Sequence, residues 1–122
     1  MAQHAGLSLE RWRGYPRGQQ ILMIANEMNR ASKLLGPGDR ERLRGTYERI
    51  LALTDLTIQV SESRSLRREL LRWRDLVAEQ YIAPEADPPA HAAIFRALLQ
   101  LHPEAWAQLP YVTGAAGPAD GG

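Results

Sequence analysis

Cysteine is absent from this chain of 122 residues, which excludes disulfides, thiolate metal sites and cysteine nucleophiles. An excess of one charge is also absent, because 15 basic residues face 14 acidic ones. No apolar run approaches the roughly 20 residues that a membrane-spanning helix needs. The first residues, MAQHAGLSLERW, lack the basic and then apolar order of a signal peptide. We therefore expect a cytoplasmic protein.

The motifs that mark common catalytic sites are missing as well. The chain has no phosphate-binding or dinucleotide-binding glycine loop, no zinc-protease motif, no nucleophile elbow and no EF-hand loop. It also lacks the paired Glu-x-x-His motif of di-iron bundles. These absences favour a protein that is not an enzyme, and they predict no cofactor and no metal site.

Proline and glycine divide the chain into segments, and within each segment the apolar residues recur with a helical period. The predicted helices cover residues 16–35, 39–61, 66–82, 87–102 and 103–109. Asp39 and Asp87 are predicted N-caps, and Ser65 is the predicted cap of the third helix, although a helix continuous through the serine-rich stretch is an alternative. The second helix has a wide apolar arc and is therefore expected to be central.

The pattern predicts an all-α fold, a small up-and-down bundle of four main helices plus a short C-terminal helix. Residues 1–112 are expected to form one domain, in which residues 1–15 are a lead-in. Residues 113–122 are small residues and helix breakers, and they are expected to be a disordered tail.

Arginine is the conspicuous residue, since 14 of the 15 basic residues are arginine and Lys33 alone is lysine. This bias is typical of a GC-rich, bacterial coding sequence. Residues 40–74 hold nine arginines against five acids, whereas residues 75–122 hold one arginine against six acids. The third helix carries a row that could contact nucleic-acid phosphates, namely Arg64, Arg67, Arg68, Arg72 and Arg74. The alternative is a solvated face, or a basic region that meets the acidic end of another copy.

Two histidines lie near the apolar stripe of the fourth predicted helix. His91 and His102 are too far apart to bind one metal from a single helix, so a buried or half-buried histidine with a satisfied hydrogen bond is expected. Arg96 and His102 form an R-x5-H pattern that resembles the motif of HEPN-type ribonucleases. The family's polar residue after the arginine is replaced by Ala97, and the resemblance covers two residues. It implies Arg96 and His102 as remote candidates for metal-independent RNA cleavage.

A polar patch lies on the first two predicted helices. Arg30 could pair with Glu48 or Asp55 between helices, which would set helix register rather than carry out chemistry.

Apolar residues exceed what a monomeric four-helix core needs. The predicted interface residues are Trp12, Leu22, Met23, Leu34, Leu71, Ile82 and Trp106. The sequence therefore favours a protein-interaction or dimerisation module, with a homodimer or another protein as partner. RNA or DNA binding through the arginine-rich third helix is the alternative, and a HEPN-like ribonuclease is a remote one.

Overall fold

The computed structural model describes residues 8–102, and the predicted short helix 103–109, the predicted tail 113–122 and Trp106 lie outside this range. The described part is all-α, as predicted. Its elements are α1 (Leu9–Arg13), α2 (Arg17–Ser32), a 3-10 turn (Pro37–Asp39), α3 (Arg40–Val60), α4 (Arg64–Ile82) and α5 (Pro88–Leu99).

The helix ends follow local capping chemistry. Ser63 rather than Ser65 caps α4, because the Ser63 hydroxyl accepts a hydrogen bond from the Leu66 amide at 3.1 Å. The prediction of Ser65 as the cap was wrong, and so was the alternative of a continuous helix, since residues 61–63 separate α3 from α4. Asp87 caps α5 as predicted and accepts from the Ala90 amide at 3.1 Å. Asp39 occupies the N-cap position of α3 without a capping hydrogen bond from its side chain.

Two helices are shorter than their apolar periodicity indicated. α2 ends at Ser32, where the amide of Lys33 turns back to the carbonyl of Arg30 at 3.1 Å. α5 ends at Leu99, so His102 lies beyond the helix rather than on its last turn. Periodicity overestimates helix length because an apolar residue just past the helix end can still pack on the core.

The bundle closes because α2 packs on α3, α3 on α4, α4 on α5, and α5 back on α2. α3 also contacts α1, which confirms its predicted central place. Its buried residues include three threonines, Thr46, Thr54 and Thr57, and each hydroxyl donates to the carbonyl four residues earlier in the helix. These intrahelical bonds let polar side chains lie in the core without an unsatisfied group.

Candidate functional site

One face of α4 points away from the bundle and is the most distinctive surface of the described chain. It consists of Arg64, Arg68, Leu71, Asp75, Glu79 and Ile82, and all six residues are exposed. Successive members lie three or four residues apart, which places them on one side of a helix. The buried residues of α4 are Leu66, Leu70, Trp73 and Val77, which form the opposite side. We call the six exposed residues the α4 outer face.

The α4 outer face carries large apolar side chains that the bundle does not cover. Leu71 is 48% exposed and Ile82 is 74% exposed. A third leucine of this helix, Leu76, is 41% exposed but lies to one side, where α4 meets α5. Removing exposed apolar side chains from water is favourable, so they mark α4 as a surface on which another molecule can pack.

Charge divides the same face along its length. Arg64 and Arg68 lie toward its N-terminal end, whereas Asp75 and Glu79 lie toward its C-terminal end. Leu71 lies between the two charged halves. The boundary between the basic middle and the acidic end of the sequence therefore falls within this helix.

The five arginines of the predicted row differ in their partners, so they do not form one continuous row of unpaired donors. Arg67 donates to the carbonyl of Ser61 at 2.6 Å, and Arg72 pairs with Glu69 at 3.2 Å. Arg74 donates a bidentate pair of hydrogen bonds to Asp55 of α3, at 2.5 and 3.2 Å, and this interaction raises the pKa of Arg74. Within residues 8–102, Arg64 and Arg68 are the members of this row with neither an ion pair nor a side-chain hydrogen bond. Two of the five charges, those of Arg72 and Arg74, are paired with acids, which reduces the basic footprint of the row.

Salt bridges and hydrogen bonds between helices involve other partners than the sequence indicated. Arg30 pairs with Glu27 one turn earlier in its own helix at 3.5 Å, so the pair with Glu48 or Asp55 that the sequence allowed is not formed. Glu27 instead reaches α3, where the Arg49 side chain lies 3.2 Å away. Glu48 accepts from the Tyr81 hydroxyl of α4 at 2.6 Å. These contacts join neighbouring helices and have a structural role.

Trp12, a predicted interface residue, is fully buried instead. Its indole nitrogen donates to the Thr57 hydroxyl at 2.9 Å, and its carbonyl accepts from Gln20 at 2.8 Å. The short helix α1 therefore seals the bundle, and Trp12 is not available to a partner.

Other predicted interface residues differ in exposure. Leu22, Met23 and Leu34 are partly buried against the core. Leu71 and Ile82 are the predicted interface residues that the described structure leaves strongly exposed.

The buried polar centre of the bundle surrounds His91, which is 2% exposed. Its Nε2 atom lies 3.1 Å from the carbonyl oxygen of Met28 and 3.0 Å from the Ser32 hydroxyl. Its Nδ1 atom lies 2.9 Å from the Tyr47 hydroxyl. A carbonyl can only accept, so Nε2 carries the proton and Nδ1 accepts from Tyr47. The prediction of a buried histidine with a satisfied hydrogen bond is confirmed.

Burial shifts the titration of both side chains of this pair. It lowers the pKa of His91, which keeps the imidazole neutral, although the bond to Met28 opposes the shift. Burial also raises the pKa of Tyr47 to about 12. The network joins α2, α3 and α5, and the rings of Tyr47 and His91 are almost fully shielded from solvent.

The R-x5-H candidates occupy the end of α5. Arg96 is exposed in the last turn of the helix, and His102 is partly buried three residues after its end. Because α5 stops at Leu99, the two residues do not share one helix as the sequence pattern suggested.

Among the open grooves on the surface of residues 8–102, two adjoin α4 or the turn that follows it. One, of about 440 Å³, is lined in part by Arg40, whose Nη2 donates to the carbonyls of Gln80 and Tyr81 at 3.2 and 3.4 Å and also to that of Ala83. Arg40 thus supplies positive charge at the C-terminal end of α4, where no basic residue of α4 itself lies. The other groove, of about 330 Å³, separates α4 from α5 and contains Leu76 and Leu101.

Within residues 8–102, no three acidic or histidine side chains gather where they could hold a metal ion.

Fold and surface together define a small all-α bundle with one exposed, charge-divided helix face. No family model, curated protein or solved structure matches this chain. Among the helices of the described residues, none is both long and apolar enough to cross a membrane.

Sequence reasoning identified the arginines, Leu71 and Ile82 separately and did not join them to Asp75 and Glu79. The signal was present, because these residues repeat at spacings of three and four along one helix.

Proposed function

We propose that this chain is a non-enzymatic protein-interaction module that binds its partner through the α4 outer face. The observation that carries the proposal is the exposure of Leu71 and Ile82 on a helix whose opposite side is fully committed to the core. The charges around them would orient a partner, as complementary surfaces do in protein interfaces.

The energy available at this face suits a specific but modest contact. Full burial of a leucine or isoleucine side chain contributes roughly 1.5–3 kcal/mol, and both residues are already partly covered. Together they could supply on the order of 3 kcal/mol, to which the charged residues add orientation and association rate.

The proposal is tested by replacing Leu71 with glutamate and measuring association by size-exclusion chromatography with light scattering and by pull-down from the native cell. Leu76→Glu is the matched control, since Leu76 is a leucine of the same helix with similar exposure but lies off the face. We expect Leu71→Glu to abolish association and Leu76→Glu to retain it, with both variants giving wild-type circular dichroism. A chain that is strictly monomeric and captures no partner would refute the proposal.

RNA or DNA binding is the second candidate, and the exposed, unpaired Arg64 and Arg68 favour it. Binding that depends on phosphate contacts must weaken steeply as salt rises. Fluorescence anisotropy with labelled single- and double-stranded oligonucleotides at about 50 mM salt tests it, because phosphate contacts are strong there. Absent binding, or binding that does not respond to salt, excludes this candidate.

A further inference from the structure

We propose that the occupant of the α4 outer face is a second copy of this chain, whose α4 crosses it antiparallel around a two-fold axis that passes between Leu71 and Arg72. This inference rests on the proposed function, because it names the partner for the same surface. Its support is that the face is complementary to itself when it is reversed.

The charged residues are arranged symmetrically about that axis, with opposite signs on its two sides. Arg68 and Asp75 lie equally far from the midpoint between residues 71 and 72, and so do Arg64 and Glu79. A two-fold rotation about this point places each arginine opposite an acid of the second copy. At 1.5 Å per residue the pairs lie about 5 and 11 Å from the axis, and each pair occurs twice in the dimer.

The apolar residue of the face lies where such an interface needs it. Leu71 is next to the axis, so it meets Leu71 of the second copy in the centre, where contacts are best shielded from water. Arg72 lies beside the axis, but its charge is already compensated by Glu69 at 3.2 Å. Ile82 falls at the edge of the interface, opposite the turn that precedes α4 in the second copy.

A parallel arrangement of the two helices does not satisfy the charges. A parallel pairing places Arg64 and Arg68 beside the same arginines of the second copy, and Asp75 beside Asp75. Like charges held opposite one another oppose association, so the antiparallel arrangement is selected. An interface in which one surface patch meets its own copy is the rule for two-fold dimers.

The test uses charge reversal in the full chain. In Arg68→Glu, two acidic side chains face each other across the axis. In Asp75→Arg, two arginines face each other. We expect each variant alone to raise the dimer Kd about tenfold or more, since two pairs change sign per dimer. An equimolar mixture of the two variants restores both pairs and is expected to return the Kd to near the wild-type value.

Analytical ultracentrifugation of wild type, each variant and the mixture provides the readout. Arg96→Glu is the matched control, because it reverses an exposed arginine on α5 outside the face and should leave the Kd unchanged. Circular dichroism confirms that every variant is folded. Only recovery of dimerisation in the mixture establishes that positions 68 and 75 face each other across two chains.

Three results would overturn the inference: a monomeric wild type, single variants that dimerise normally, or a mixture that is not restored. A monomeric wild type that still binds another protein, with binding lost in Leu71→Glu, would overturn this inference and leave the proposed function standing. Loss of dimerisation in Leu71→Glu without any effect of the charge variants would overturn the proposed axis.

Discussion

The hydrogen bond between Tyr47 and His91 allows a quantitative test of the buried network. Replacing Tyr47 with phenylalanine removes the hydroxyl that lies 2.9 Å from His91 Nδ1 and leaves the ring in place. Nδ1 then has no donor in a site where Tyr47 and His91 are each 2% exposed. A buried polar atom left without its partner costs about 1–3 kcal/mol.

The free energy of unfolding should be measured by urea titration near neutral pH, followed by tryptophan fluorescence and circular dichroism. We expect Tyr47→Phe to lower it by about 1–3 kcal/mol, with a decrease in Tm of roughly 4–8 °C for each kcal/mol in a domain of this size. Tyr81→Phe is the matched control. Its hydroxyl bonds to Glu48 at an exposed position, where the loss should stay below about 1 kcal/mol.

Repeating the substitution in a variant that lacks the imidazole makes the test stricter. In His91→Leu the tyrosine hydroxyl has already lost its acceptor, so adding Tyr47→Phe should be neutral or stabilising. The reasoning is refuted if Tyr47→Phe costs no more than Tyr81→Phe, or if its cost is the same with and without the imidazole.

Five further outcomes are expected. Because the pKa of His91 is lowered in the folded state, stability should be full above its ordinary value of 6.5 and fall as pH decreases below it, and His91→Leu should flatten this part of a urea-denaturation series across pH. The raised pKa of Tyr47 has the opposite sign and should make stability fall as pH rises from 10 to about 12. Trp12→Phe should lower the free energy of unfolding by about 1–3 kcal/mol through a smaller ring and a lost bond to α3, and a cost near zero would show that α1 does not seal the core. Asp55→Asn should cost less than about 1 kcal/mol, and the loss should shrink in high salt. Purified protein should cleave labelled RNA no faster than buffer on a denaturing gel, and cleavage abolished by His102→Ala would restore the ribonuclease candidate.

The N-cap of α4 and the burial of Trp12 could not be predicted from the sequence. Serines occur at 61, 63 and 65, and any of them could have capped a helix. The choice of Ser63 depends on where the chain leaves α3 and where the apolar side of α4 must face the core. Trp12 was misplaced because a helix of five residues is too short for its periodicity to show which side is buried.

The partners of the polar residues could not be read from the sequence either. His91 was predicted to be buried and satisfied, but Met28 and Tyr47 lie 63 and 44 residues away along the chain. The same holds for Arg74, a candidate for nucleic-acid contact on the sequence, whose partner in the structure is Asp55 of α3.

The sequence by itself determined the helical class, the main breaks and the central place of α3, because proline, glycine and a period of 3.6 residues act locally. It also contained the alternation of arginine, leucine and acid along α4. Only the tertiary structure decided which apolar residues stay in water, since exposure depends on how neighbouring helices cover one another. That packing buries Trp12, leaves Leu71 and Ile82 uncovered, and turns the charges of α4 into one outward face.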